Sequence, residues 1–237
     1  MANTSGSSSF NLDLTELVEE AFERAGSEMR TGYDLRTARR SLNIMFADWA
    51  NRGINLWTIE TGVIDFVQGQ NTYALPDDTI DLLEHVIRTG GNIASTQADL
   101  TITRISVSTY ATIPNKITQA RPIQVWIQRY NGQTSPISST LTTTITSAST
   151  EIVLSDVTGL PASGFIKIDS EIINYGYITG NTLSNCFRGQ QNTTAAAHTS
   201  GTTVYWAQVP AVTVWPTPDN AQTYQFVYWR LRRTQDA

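Results

Sequence analysis

The chain has 237 residues, of which 40% are hydrophobic and only 16% are charged, and its formal net charge is −5. An acidic balance argues against a general nucleic-acid binder, whose surface would be basic, so we expect no sequence-specific nucleic-acid partner. The single cysteine, Cys186, excludes an intrachain disulfide and a cysteine-based metal site. No apolar run approaches the ~20 residues that span a bilayer, so we expect no membrane partner.

The first predicted element is a helix over about residues 14–25. Residues 1–9 lack the basic and apolar segments of a signal peptide, and we expect them to form a flexible arm. Apolar residues then recur at helical spacing on one face: Leu14, Leu17, Val18, Ala21, Phe22 and Ala25. Asp13 is the expected N-cap, and Gly26 is the expected end. The opposite face is acidic and contains Glu16, Glu19, Glu20 and Glu23.

A second helix is predicted over about residues 34–51, which makes the two helices a hairpin. Its polar face is basic near the start, at Arg36, Arg39 and Arg40. These arginines have two main interpretations: they pair with the glutamates inside the hairpin, or they meet an acidic neighbouring subunit, where arginine fixes register well. Contact with DNA is a third alternative.

From about residue 56 the hydrophobic period changes to two, which predicts strands near residues 59–66, 72–75, 82–89, 100–107 and 123–129. Helices followed by strands indicate an α+β fold with an antiparallel β domain. Residues 131–207 are poor in charge and contain short strands with close turns, which predicts a small all-β module. Because aromatic strands resume after it, we expect residues 10–130 and 208–237 to form one core into which this module is inserted.

No catalytic, cofactor or metal motif is found, so we expect a protein that is not an enzyme. His85 lies in an apolar strand and His198 in a small-residue loop, and both are interpreted as structural. Asp77, Asp78 and Asp81 do not have the spacing of a calcium loop and are interpreted as turn residues. The basic end of the last strand, at Arg230, Arg232 and Arg233, has two interpretations, an outward strand end or a docking surface.

An ordered series of short motifs resembles the head-to-tail adaptor family of short-tailed bacteriophages. The series covers residues 10–130 and 208–236, and it comprises Leu56-Trp57-Thr58, Val67-Gln68-Gly69, Tyr73-Ala74-Leu75-Pro76, Ile113-Pro114-Asn115-Lys116, Ala120-Arg121-Pro122, Trp126, Trp215-Pro216-Thr217-Pro218-Asp219 and Tyr228-Trp229-Arg230-Leu231-Arg232. The inserted module is similar to a small β domain of several phage structural proteins. Its marks include Gly159-Leu160-Pro161, Gly164-Phe165-Ile166, Arg188-Gly189 and Glu171, and we expect Glu171 and Arg188 to pair inside it or bond the backbone.

The resemblance implies a structural virion protein of the tail or neck, assembled in the bacterial cytoplasm as part of a twelve-subunit ring. Its partners would be further copies of the chain, the portal protein, the tail nozzle or tube and, through the module, a tail fibre. The hairpin would belong to a helical bundle. The candidate subunit or portal interface comprises Arg36, Arg39, Arg40, Glu16, Glu20, Glu23, Arg230, Arg232 and Arg233.

Two rival classes remain open. A carbohydrate-binding or adhesin-type β protein would explain the Thr-rich module and the aromatic residues. A peptidoglycan hydrolase would need carboxylic acids such as Glu20 or Glu23, but a solvated helix face lacks the burial that raises the pKa of a general acid.

Overall fold

The computed structural model describes residues 13–28, 32–54, 58–91, 93–130 and 134–233. The predicted arm at residues 1–9 lies outside these ranges. The chain divides into two compact units: residues 1–58 with 233–237, and residues 59–232. The fold class is α+β, as predicted, with a helical hairpin and mostly antiparallel sheets.

The first unit contains the hairpin, formed by α1 (Leu14–Arg24) and α2 (Gly32–Asn51). Asp13 caps α1, because its carboxylate accepts a hydrogen bond from the Thr15 amide at 3.4 Å. Gly26 follows α1 with a φ of 73°, a conformation in which glycine ends helices readily. Among the described residues of the two helices, only Val18 is buried.

The second unit, called here the β unit, contains short helix α3 (Val107–Ala111) and the strands of three sheets. In chain order the strands are β1 (Ile59–Asp65), β2 (Thr72–Ala74), β3 (Thr79–Thr89), β4 (Ala98–Thr101), β5 (Thr103–Arg104), β6 (Gln124–Gln128), β7 (Thr134–Thr140), β8 (Ile152–Val153), β9 (Gly164–Ile168), β10 (Glu171–Thr179), β11 (Thr182–Gln190), β12 (Thr203–Ala207), β13 (Ala211–Trp215) and β14 (Tyr224–Arg232).

Two four-stranded sheets contain the strands on either side of the predicted module, in the orders β1-β14-β3-β4 and β2-β13-β6-β5. One apolar core takes side chains from both sheets, including Tyr73, Ile87, Val125, Val212 and Phe226. The period of two explains this core, because alternate residues of each strand point to the same side. The pair β5–β6 is parallel, whereas the neighbouring pairs are antiparallel.

The remaining strands form a six-stranded antiparallel sheet, in the order β7-β12-β9-β10-β11-β8. This six-stranded sheet has its own core of buried residues, among them Leu141, Ile166, Ile173, Tyr175 and Leu183. A bridge between Leu141 and Leu154 joins the chain just beyond the two edge strands, β7 and β8. The opposite edges of the sheet therefore approach each other.

The six-stranded sheet packs on the strands around it through a smaller apolar cluster. Phe165, Ile172 and Ala207 meet Val209 and Ala211 there. Side-chain hydrogen bonds join the same regions: Gln70 donates to Gln190 at 3.1 Å, Asn185 to the Gly69 carbonyl at 3.0 Å and Gln191 to the Leu75 carbonyl at 2.9 Å.

Two local predictions differ from the structure. The single strand expected over residues 100–107 is replaced by β4, β5 and the start of α3. Ser106 explains the change, because its hydroxyl accepts the Thr109 amide at 3.1 Å and caps a helix instead. β7 was not predicted at all, since residues 134–140 alternate weakly and contain a proline.

Candidate functional site

The candidate interface predicted for the hairpin begins with the acidic face of α1. Glu16, Glu19, Glu20 and Glu23 are all exposed. Glu20 forms an i,i+4 ion pair with Arg24, and their side chains remain 52% and 79% exposed. Exposed helix pairs of this kind contribute little stability, so the acidic face is essentially solvated.

The basic face of α2 is equally exposed. The Arg36 Nε donates to the Gly32 carbonyl of its own helix at 3.2 Å. Within the described ranges, no carboxylate forms an ion pair with Arg36, Arg39 or Arg40, whereas Arg52 pairs with Asp48 at 2.8 Å. The interpretation in which these arginines pair with the glutamates of α1 is therefore supported by no ion pair among the described residues.

Between the two helices lies an apolar groove of about 460 Å³, called here the hairpin groove. Its lining comes from the predicted apolar faces of both helices: Leu17, Val18, Ala21, Phe22, Ala38, Ser41, Leu42 and Met45. Leu17 is 39% exposed, although it points into this groove. Exposed apolar surface bordered by charges is typical of a site that another chain covers.

The arginines at the end of β14 differ in their surroundings. Arg230 is buried, and its guanidinium donates to Asp78, to Thr79 Oγ1 at 3.0 Å and to Glu60 Oε2 at 2.6 Å. Burial alone would lower the pKa of Arg230, but the hydrogen bonds to Asp78 and Glu60 outweigh it and raise the pKa. Arg232 is half-buried and contacts Glu60 Oε1 at 2.7 Å.

Of these three arginines, only Arg233 is exposed. The guanidinium of Arg230 is thus engaged inside the β unit, in a position that favours a structural interpretation. The sequence could not distinguish this position from an outward one, because the acidic partners at Glu60 and Asp78 lie more than 150 residues earlier.

The six-stranded sheet contains a buried charge cluster around Glu171, which is 1% exposed. Arg188 donates to both oxygens of this carboxylate, at 2.9 and 2.7 Å, as the resemblance led us to expect. The amides of Gly189 and Ala196 and the Nε2 of His198 lie 2.8–3.1 Å from the same two oxygens. The other ring nitrogen of His198 lies 2.8 Å from Asp169 Oδ2.

The pKa of Glu171 reflects this crowding. Burial alone would raise it, but the hydrogen bonds from Arg188, His198 and the two amides lower it to about 2. The cluster ties the strand β10 to β11 and to the loop that contains His198. Every partner of the Glu171 carboxylate belongs to the β unit itself. This arrangement favours a structural interpretation of Glu171, Arg188 and His198.

His85 also occupies an internal position. Its ring lies 5.8 Å from that of Phe226, and burial is the main cause that lowers its pKa, followed by the charge of Arg104. In the described ranges, no group of three or more His, Cys, Asp or Glu side chains is placed to hold a metal ion. No described helix is long and apolar enough to cross a membrane.

An aromatic cleft was missed by the sequence analysis. Tyr110, Trp126, Tyr130 and Trp206 line it. One signal was present, because alternation in β6 places Trp126 and Gln128 opposite the core residues Val125 and Ile127. The approach of residues 110 and 206 to this face depends on the tertiary fold and has no local signature.

Comparison with known proteins found no family model, no curated protein and no solved structure that matches this chain.

Proposed function

We propose that this protein is a structural, ring-forming adaptor that joins the portal of a short-tailed bacteriophage to the tail nozzle or tube. The hairpin groove carries the proposal: it is an apolar surface left open by the described chain, between one acidic and one basic helix. The ordered motifs of residues 10–130 and 208–236 give the proposal its phage context.

The charges of the hairpin favour contact between copies. A head-to-tail interface that closes by rotation generates a ring, and it requires two different, complementary surfaces on each subunit. The acidic face of α1 and the basic face of α2 meet this requirement, because their opposite charges are not consumed by ion pairs between the helices in the described residues. Completion of a helical bundle by neighbouring hairpins would cover the hairpin groove.

In this proposal the β unit provides a rigid body that the hairpin joins to its neighbours. Residues 131–207 act as an inserted module whose contact with a tail fibre or nozzle is dispensable for ring formation. The protein then belongs to the virion, in the tail or neck, and its assembly takes place in the host cytoplasm.

The experiment is mass photometry with negative-stain imaging of the purified chain, alone and mixed with the portal protein encoded by the same phage genome. We expect closed rings, free or seated on the portal, with twelve subunits as the expected number. A chain that stays monomeric and never binds the portal would contradict the adaptor function.

A carbohydrate-binding or adhesin-type protein is a second candidate, and a specific observation favours it. The aromatic cleft belongs to the β unit, no described residue of the charged helices lines it, and its chemistry suits a sugar ring.

A further inference from the structure

The aromatic cleft of the β unit has a volume of about 240 Å³. Beside the four aromatic residues already named, it is lined mainly by Lys116, Gln128, Thr213 and residues 161–165, which include a fifth aromatic residue, Phe165. No carboxylate is among the described lining residues. A cavity with aromatic walls and a few polar groups is typical of a site for a small ligand or for one end of a longer one.

The walls of the cleft are held in place before any ligand arrives. Tyr110 stacks on Trp126 with ring centroids 5.1 Å apart and an angle of 29° between the planes. The Lys116 ammonium lies 5.4 Å from the centre of the Tyr110 ring and donates to the Ile113 carbonyl at 2.8 Å. Lys116 is the one cation among the described lining residues, and its ammonium is already bonded to the loop after α3.

Several polar groups at the cleft are unused by the protein. The indole nitrogens of Trp126 and Trp206 and the hydroxyl of Tyr130 make no hydrogen bond to the rest of the described chain. The Gln128 Nε2 donates to Thr213 Oγ1 at 2.7 Å, which leaves Oε1 available as an acceptor. By contrast, Trp215 on the neighbouring strand donates its indole N–H to the Asn115 carbonyl at 2.9 Å.

We propose that the aromatic cleft binds a neutral saccharide. A sugar ring has apolar C–H faces, which pack on aromatic rings, and hydroxyl groups, which both donate and accept hydrogen bonds. The indole N–H groups and the Tyr130 hydroxyl can serve the sugar oxygens as donors, and Gln128 Oε1 can accept a sugar hydroxyl. This inference does not depend on the adaptor function.

The unused acceptor favours a saccharide over a proline-rich peptide. Proline-rich segments also dock on aromatic grooves. Proline has no N–H to donate to the Gln128 acceptor, however, whereas a sugar hydroxyl can donate to it. Replacing Gln128 by Leu removes the acceptor without shortening any aromatic wall, and it therefore separates the two ligand classes.

The test is a titration of the full chain with neutral trisaccharides built from glucose, galactose, mannose, rhamnose or N-acetylglucosamine, followed by tryptophan fluorescence and calorimetry. We expect at least one of them to give a saturable signal. Tyr130→Ala should weaken that binding about tenfold, since it removes one stacking wall. Gln128→Leu should also weaken it.

Tyr177→Ala is the matched control, because Tyr177 is also exposed, at 47% against 38% for Tyr130, and lies outside the cleft. Circular dichroism establishes that each variant is folded. Three results would overturn the proposal: no saturable signal with any trisaccharide, binding of a decaproline peptide in place of the sugars, or equal losses for Tyr130→Ala and Tyr177→Ala.

Discussion

The hairpin and the six-stranded sheet differ in how completely their apolar side chains are buried and their charged side chains are paired within the protein. In the sheet, a continuous apolar core is fully buried, and the one deeply buried carboxylate, Glu171, has partners on both oxygens. In the described hairpin, Val18 is the only buried helical residue and the groove beside it is open. The described residues of the hairpin also present charged faces without ion pairs between the two helices.

This difference suggests that the six-stranded sheet contributes mainly to folding stability and the hairpin mainly to assembly. A segment whose apolar and polar groups are satisfied internally gains little from a partner, whereas an open apolar groove gains the burial that it lacks. We therefore expect substitutions in the six-stranded sheet to change the free energy of unfolding, and substitutions in the hairpin to change association.

The largest expected effect on stability is that of Glu171→Gln. The change leaves the buried charge of Arg188 without its counter-charge, and breaking a buried pair in this way costs about 3–5 kcal/mol. Urea unfolding of the β unit, followed by circular dichroism, measures the loss. Glu151→Gln, an exposed position in the same sheet region, should change the unfolding free energy by less than about 0.5 kcal/mol; equal effects would mean that the buried cluster is not stabilising.

Lowering the pH should remove the stabilising contribution of the Glu171 carboxylate in the parent protein. The pKa of Glu171 is about 2 in the folded state, against 4.5 for an unperturbed glutamate. Because the folded pKa is the lower one, the contribution is complete above pH 4.5 and is lost as the pH falls toward 2. The loss amounts to about 3 kcal/mol. Urea midpoints of the parent and of Glu171→Gln should therefore converge over this range, and a constant difference between them would refute the assignment.

A smaller loss is expected from Arg230→Met in the β unit. The variant leaves Asp78 and Glu60 without their guanidinium partner, but both carboxylates are more than a third exposed and can be rehydrated. The unfolding free energy should therefore fall by about 2 kcal/mol. Arg121→Met, at an exposed position of the same unit, is the control in the same urea titration. If Arg230→Met is as stable as this control, Arg230 is not a structural residue, and the docking interpretation gains support.

The smallest expected effect on folding is that of a paired Leu17→Ser and Leu42→Ser substitution in the hairpin groove. Since the groove is already open, we expect helix content to persist and the unfolding free energy to change by about 1 kcal/mol at most. The association of subunits, read by mass photometry, should nevertheless be lost.

Ile44→Ser is the control for the groove, because Ile44 is 65% exposed on α2 and does not line it. Association that survives the paired substitution but fails with Ile44→Ser would place the contact on another face of α2.

Local periodicity predicted much of the fold, and tertiary contacts account for what it missed. The helical stripe through Leu17 and Val18 and the alternation in β6 are short-range patterns, so the hairpin and most strands could be placed from the sequence. The short helix α3 was not predicted, although Ser106 carried its capping signal, and only its first residue, Val107, falls within the predicted strand. The order of strands in the sheets depends on contacts between distant residues, such as those of β1 with β14.

The candidate site divides in the same way. The charged faces of the hairpin follow from helical spacing alone, and the structure describes them as exposed. The internal pairing of Arg230 could not be predicted, because it depends on β14 lying between β1 and β3. The aromatic cleft was hidden for a similar reason, since its walls come from positions as distant as Tyr110 and Trp206.

The most direct measurement is the mass of the full chain, with and without the portal, after reversal of its helix charges. Arg36→Glu, Arg39→Glu and Arg40→Glu together should abolish rings, and so should Glu16→Lys, Glu20→Lys and Glu23→Lys together. A chain that carries both sets should recover rings, because each acidic face then meets a basic neighbour again. Rings that persist in the chain with only the arginines reversed, or a folded double set that forms none, would contradict the proposal that the hairpin joins the subunits.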